Sequence, residues 1–336
     1  MSTDADIAGT YMTKKRAICF VILLALMSTT LFNVIGVLRS RNASRDETGG
    51  VANSKAVLDE EVATRRVHVP PQAPSCVNDE KTIDGSKSVT YEGVNFAYHI
   101  LLASEIKSEI KSASPLTGET DKPEGVVPAH ISFTLVGPYA SQHTSSYFAP
   151  ELSIYPIPKY KDALALSRNY VESLEKDIQS LKTMLAEKPA SPEKEIPFLP
   201  FGIDATQAFH SHVKYINFKN GRGIMFLTQF NIEPSLVNNQ GLVYTFQGLT
   251  DDGLNYVSAR FPVTVPFLPP SYEPGTFDNY TLPTYFYGKD KVSNEEKYKT
   301  YLSKITRRLD ELPSDKFEPR LTLLENLILS LCVETK

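Results

Sequence analysis

Tryptophan is absent, and cysteine occurs only three times in 336 residues, at Cys19, Cys76 and Cys332. Three thiols spaced so widely exclude a disulfide-rich scaffold and offer no zinc-ligand spacing. There is no surplus of positive charge: 35 Lys and Arg stand against 39 Asp and Glu, a net −4. Nucleic acid is therefore not an expected partner, since bulk binding to it needs a clear basic excess. The chain also lacks a Gly-x-Ser-x-Gly elbow, a His-Glu-x-x-His pair and a dinucleotide fingerprint. Gly221-Arg222-Gly223 has neither a following helix nor phosphate-loop spacing, and reads as a hairpin turn. Spacing singles out no catalytic residue and no cofactor.

Against these absences stands one long apolar run. Residues 17–38 hold 22 positions without a charge and follow Lys14-Lys15-Arg16. At 1.5 Å per residue such a helix is about 33 Å long, enough for a hydrocarbon core of about 30 Å. A cleaved signal peptide has a shorter apolar region, about 7–15 residues, and a small-residue cleavage site. Arg41-Asn42-Ala43 is a poor counterpart of that site. A lipoprotein cysteine is missing too, because Cys19 lies near the start of the run and Cys76 far beyond its end. The run predicts an uncleaved single-pass anchor, with residues 1–16 as a cytoplasmic tail.

Basic residues flank both ends (Lys14, Lys15 and Arg16; Arg39, Arg41 and Arg45), so the positive-inside count is nearly even. The short tail and large remainder favour a C-terminal part outside the cytoplasmic membrane, periplasmic or extracellular. Residues 39–87 carry Gly49-Gly50, Pro70-Pro71 and Pro74 without a lasting apolar period. Such a composition buries too little apolar surface to offset its ordering entropy and reads as a flexible linker.

The folded part reads as α+β. Residues 208–265 predict four strands in an antiparallel meander, with turns at Asn220-Gly221 and at Asp251-Asp252-Gly253. Ile224, Phe226 and Phe230 alternate with Met225 and Leu227, so both faces of that strand are apolar and both need cover. Earlier strands are read at residues 88–91, 94–101, 130–135 and 152–157. Residues 104–111 form an amphipathic piece of open type, and Pro156 and Pro158 restrict the last of these strands to an edge or a strand end. Residues 159–188 predict one long helix, its stripe of Val171, Leu174, Ile178, Leu181 and Leu185 covering the sheet. A proline-rich, aromatic stretch over residues 266–288 wraps the domain. Ser293-Asn294-Glu295-Glu296 reads as a capping box that opens a C-terminal helical hairpin within residues 289–336, packed on the domain of residues 88–288.

Candidate site residues are few. His210 and His212 stand two apart on a predicted strand, so both rings would share a face and, with a third ligand, a metal. His99 and His130 sit on other predicted strands. A pair of half-exposed polar residues on the sheet's solvent face is the simpler reading, and no metal is expected. Cys76 and Cys332 bracket the folded part and are candidates for a disulfide in an oxidising compartment; two free thiols, with Cys332 inside the last helix, is the simpler reading. Asn42-Ala43-Ser44 and Asn279-Tyr280-Thr281 match the glycosylation pattern, which has consequences only in a eukaryotic secretory pathway.

Several segments together carry a resemblance: Gly93-Val94-Asn95-Phe96-Ala97-Tyr98, Pro128-Ala129-His130-Ile131-Ser132-Phe133, Leu185-Ala186-Glu187-Lys188-Pro189, Ile196-Pro197-Phe198-Leu199-Pro200 and Tyr244-Thr245-Phe246-Gln247-Gly248-Leu249-Thr250. About half the chain resembles a family of bacterial exported or membrane-anchored proteins without assigned function. The resemblance implies an extracytoplasmic location in a bacterium and supplies no catalytic residue. The opening Gly-Val-x-Phe-x-Tyr and the aromatic meander are also similar, at fold level, to the α/β/α sandwich of the photosystem II oxygen-evolving accessory proteins. The expected function is a non-enzymatic binding or accessory module, anchored in the membrane by one span and serving a protein partner. The alternative is a hydrolase, or a small-molecule or metal binder, with a site assembled from scattered residues.

Overall fold

The computed structural model describes residues 85–118, 121–190, 192, 195–199, 205–272, 275–283 and 290–334. The chain divides into two units, Met1–Val67 and His68–Lys336, and every described residue belongs to the second. The expected tail, anchor and all but the end of the expected linker lie outside the described residues, as do Cys19, Cys76 and Asn42-Ala43-Ser44. Among the described residues no helix is long and apolar enough to cross a membrane.

The architecture is α+β, with mostly antiparallel sheets and a few helices. Strands β1 (Ser86–Tyr91) and β2 (Val94–His99) form a hairpin. Its turn residues Glu92 and Gly93 sit at φ 50° and 81°, the two left-handed positions that match the twist of the flanking strands. Next come β3 (Glu105–Lys111), β4 (His130–Val136), the short helix α1 (Pro138–Gln142) and β5 (Glu151–Pro156). Helices α2 (Ile157–Ala163) and α3 (Arg168–Glu187) cross over to β6 (Thr206–Gln207), β7 (Ser211–Phe218), β8 (Gly221–Thr228), β9 (Phe230–Asn231), β10 (Val243–Thr250) and β11 (Asn255–Pro262). The small hairpin β12 (Thr276–Phe277) and β13 (Tyr280–Thr281) precedes α4 (Lys291–Asp310), α5 (Leu321–Leu329) and β14 (Cys332–Val333).

Seven strands make the main sheet, in the order β3-β4-β5-β11-β10-β8-β7, and every neighbouring pair is antiparallel. It consists of two meanders joined edge to edge where β5 pairs with β11. Helices α2 and α3 pack on one face, where Leu174, Ile178, Leu181 and Leu185 bury against Ile224, Phe226 and Tyr256. The opposite face packs against α4, α5 and the small sheet β1-β2-β14. Met225 and Leu227 belong to this second core, and all four β8 side chains from Ile224 to Leu227 are fully buried. The double-sided apolar pattern of β8 thus has the double cover it requires.

Residues 104–111, open in type from the sequence, hold the edge strand β3 at 105–111. Pro156 stands at a strand end, one of its two expected places: β5 is interior, and the proline closes it and leads into α2. Other expectations are corrected. The helix expected over residues 159–188 is two helices, broken where the Ser167 N–H turns back to the Leu164 carbonyl at 2.9 Å. That break lets Tyr160 and Leu164 bury while α3 keeps its own stripe inward. Helix α4 begins at Lys291, with the Asn294 N–H bonded to the Asp290 carbonyl, so Ser293 lies within the first turn and caps nothing.

A further correction concerns Asn220-Gly221. The turn residues are Lys219 and Asn220, neither at positive φ, and Gly221 already pairs with Phe218 in the ladder. Glycine is required there by space: a Cβ would lie 2.1 Å from the Phe218 ring and 2.5 Å from the Leu249 carbonyl oxygen. Asn220 serves the C-terminus, its amide bonding both the N–H and the carbonyl of Val333. The expected helical hairpin therefore does not end the chain, because β14 returns to pair with β2.

Candidate functional site

Two places gather polar or accessible groups. The first is a stripe across the α3 face of the main sheet. Ser132, Ser153 and Ser258 stand directly opposite one another on β4, β5 and β11, with Gln247 of β10 next in the row. The adjacent row pairs Glu151 with Arg260. Glu151 Oε1 accepts from Lys111 Nζ (2.6 Å), Ser132 Oγ (2.6 Å) and Ser153 Oγ (3.2 Å), and Oε2 accepts from Arg260 Nη2 (2.7 Å). Burial alone would raise its pKa, yet the bonds from Lys111 and Ser132 and the nearby cations overcome this and hold it at about 2. A carboxylate so weakly basic and so fully engaged cannot accept a proton near neutral pH. Gln247 is equally committed, donating to Thr245 and Ser258 and accepting from the Tyr256 hydroxyl at 2.6 Å. This stripe is a closed structural network.

The second place is an open cleft of about 380 Å³ between the main sheet and the small sheet. Its floor is a row of isoleucines in register, Ile110, Ile131 and Ile154, on β3, β4 and β5. Exposure rises outward along the row, from 2 % at Ile154 to 57 % at Ile110. The wall is the cross-strand pair Val94–Val333 of β2 and β14. Leu254, in the β10–β11 turn and 43 % exposed, extends the apolar lining beyond the cleft. That turn is held by the Asp252 carboxylate, which accepts from the Leu254 N–H and the Thr250 hydroxyl, and by the Ile157 N–H, which bonds the Leu254 carbonyl.

The polar lining is sparse. The Glu334 N–H donates to the Gly93 carbonyl at 2.8 Å, which sets Glu334 beside Glu92 at the mouth; Lys159 and Asn255 complete it. His130 borders the cleft, but its ring lies on the opposite, α3 face of the sheet. His130 donates from Nδ1 to the Pro128 carbonyl at 2.8 Å and stacks on Tyr155. In the neutral ring this leaves Nε2 as an acceptor. Burial, the largest influence, lowers the His130 pKa, so the ring is neutral at pH 7.

The other sequence candidates do not converge. His210 and His212 face opposite sides of the sheet. His210 lies edge-on to Phe226 in the α3-side core, with Nε2 2.6 Å from Gln207 Oε1. His212 lies edge-on to Phe317 in the other core, and its Nε2 donates to the Leu309 carbonyl at 2.8 Å. The two-residue rule fails here because β7 carries a bulge between Ser211 and Lys214, with His212 at φ 48°. The Asp310 carboxylate accepts from both the Ser211 hydroxyl and the His212 N–H, which holds the bulge. His99 accepts locally, from the Leu101 N–H. Among the described residues no three His, Cys, Asp or Glu side chains gather as a metal site.

Cys332 is fully buried and disulfide-bonded, in β14 rather than in a helix. Its partner falls outside the described residues, where Cys19 and Cys76 are the two remaining cysteines. Asn279 stands exposed in the β12–β13 turn. Sequence reading missed both the cleft and the Glu151 network. Glu151 leaves a trace, as the one charge in its strand. The isoleucine row leaves none, since it depends on the register of three strands. Comparison with protein-family models, with curated proteins and with solved structures finds no match to this chain.

Proposed function

We propose that this chain is a binding or accessory module, anchored by residues 17–38 and displayed outside the cytoplasmic membrane of a bacterium, and that it engages a protein partner through the isoleucine cleft. The proposal includes membership of the exported or membrane-anchored family whose segments it resembles. The observation that carries the binding reading is the cleft itself. It is open and aliphatic, and its lining continues onto exposed Ile110 and Leu254. Exposed contiguous apolar surface bordered by polar groups marks interaction sites, whereas hydrolysis through a covalent intermediate needs a side-chain nucleophile and a base within hydrogen-bond reach. The lining of the cleft holds no Ser, Thr or Cys beside His130.

The test is chemical crosslinking of the tagged full-length chain in intact membranes, followed by affinity recovery and mass spectrometry. A dominant, reproducible protein partner is expected, and recovery of nothing above background overturns the module reading. Protease added to intact spheroplasts checks the orientation: digestion of the C-terminal part is expected, and complete shielding reverses the assignment.

A further inference from the structure

Among the described residues, strand β3 pairs with β4 alone and is a terminal strand of the main sheet. Which of its main-chain groups face outward follows from the ladder behind it. The Leu135 N–H bonds the Pro150 carbonyl, so the odd residues of β4 turn their main-chain groups towards β5, and the even ones turn theirs towards β3. Those even residues, from His130 to Val136, stand opposite Glu105, Lys107, Glu109 and Lys111. The N–H and C=O groups of Ile106, Ser108 and Ile110 therefore point away from the sheet. The other terminal strand, β7, is bulged between Ser211 and Lys214, which blunts an edge. β3 stays in unbroken register over its seven residues.

The sequence of β3, Glu105-Ile106-Lys107-Ser108-Glu109-Ile110-Lys111, is complementary to itself. Laid antiparallel on a second copy about a two-fold axis at Ser108, Glu105 faces the partner's Lys111, Ile106 the partner's Ile110, and Lys107 the partner's Glu109. In this register the outward groups of Ile106, Ser108 and Ile110 meet one another as hydrogen-bonded pairs. Moving the axis to Lys107 sets that lysine against itself and Glu105 against Glu109. Moving it to Glu109 sets that glutamate against itself and Lys107 against Lys111. Like charges directly opposite are destabilising, so the full strand pairs favourably with itself in one register.

The faces agree as well. A two-fold axis normal to the sheet keeps the charged residues on the α3 side and the isoleucines on the cleft side, where Ile106 and Ile110 stand opposite Leu135 and Ile131. Ile110, 57 % exposed, gains cover from the partner's Ile106, and the isoleucine row continues across the axis. Lys111 keeps its bond to Glu151 and has further ammonium hydrogens for the partner's Glu105. Lys107 and Glu109 lie 3.7 Å apart within one chain, and across the axis they extend into an alternation of four charges.

We infer that β3 is a homodimer interface: two copies of this chain pair antiparallel through β3 about a two-fold axis at Ser108, and their main sheets join into one. The pairing does not depend on the binding-module reading, because a second copy and a different protein are recovered as distinct species.

Sedimentation velocity of the full-length protein in mild detergent, over a range of concentrations, reads the association. A monomer–dimer equilibrium is expected for the wild type. Lys107→Glu and Glu109→Lys each set two pairs of like charges face to face and weaken dimerisation by about tenfold. Mixed in equal amounts, the two variants dimerise as the wild type does, because each charge then meets its opposite; a misfolded variant cannot give that rescue. Ser108→Pro removes an outward N–H while sparing the ladder to β4, and dimerisation is lost. A wild type that stays monomeric up to about 100 µM, dimerisation unchanged in both charge variants, or no rescue on mixing overturns the inference. A dimer that survives all three substitutions is held by another surface. Failure to recover a different protein by crosslinking removes the module reading and leaves the β3 pairing standing.

Discussion

At the scale of single residues, Glu151 shows how a buried charge is tolerated. Only 9 % of its side chain is exposed, a position that costs several kcal/mol for an unpaired carboxylate. Lys111, Arg260, Ser132 and Ser153 offset that cost. A folded pKa of about 2 against an ordinary value of 4.5 corresponds to about 3 kcal/mol of stability. The folded state has the lower pKa, so this contribution is fully present above about pH 4.5 and is withdrawn as pH falls towards 2. Glu151→Gln is expected to lower the melting temperature at pH 7 and to flatten the acid limb between pH 5 and 2. Calorimetry across that range checks it, and parallel acid limbs for the two proteins would contradict the assignment. Glycine has a different role on the other face: the Phe246 ring covers Gly223 and Gly248, which face each other across β8 and β10. A Cβ on Gly223 would meet that ring at 2.3 Å, so a side chain there overpacks the core.

At the scale of elements, α3 is legible because its signal is local. Its stripe of Leu174, Ile178, Leu181 and Leu185 is spaced by three and four and needs no knowledge of the sheet beneath it. Its end is less expected. Lys188 adopts the left-handed conformation at φ 50°, with its N–H bonded to the Met184 carbonyl, a role that glycine fills at lower cost. Lys188→Gly is expected to stabilise the protein by about 1 kcal/mol, measured by urea unfolding; a loss of stability would show that the lysine side chain contributes more than the backbone strain costs. The edges are protected individually. Ser330 donates to the Ala97 carbonyl and accepts from the Ala97 N–H, closing the edge of β2 where β14 does not reach. Asn220 closes the edge of β14 at Val333. Such blocking removes templates for pairing with other chains, and β3 and β7 are the terminal strands of the main sheet.

At the scale of the whole molecule, closure depends on the last strand. Cys332 and Val333 pair with Asn95 and Val94, so the C-terminus completes the sheet that the first described strands begin. The disulfide at Cys332 adds a covalent tie to that closure. For a loop as long as the Cys76–Cys332 pairing would create, the chain-entropy model gives about 5–6 kcal/mol. Cys332→Ser is expected to lower the melting temperature substantially and to make it independent of added dithiothreitol. Non-reducing electrophoresis identifies the other half: a mobility difference abolished by Cys76→Ser establishes the Cys76 pairing, and one abolished only by Cys19→Ser rejects it.

The sequence by itself determined what short-range physics controls. The alternation in β8, the stripe of α3, the turn at Asp251-Asp252-Gly253, and the absence of familiar catalytic spacings all follow from neighbours along the chain. The anchor proposed for residues 17–38 rests on the same kind of signal, length and lack of charge. Tertiary structure decided everything that depends on register and crossing. It separated His210 from His212 through a bulge held by Asp310, a residue about a hundred positions away. It also returned Cys332 to β2, and it aligned Ile110, Ile131 and Ile154 into the floor of one cleft. The physical reason is that a strand's period places a side chain on a face, whereas its partner across the sheet is chosen by long-range pairing that no local pattern encodes.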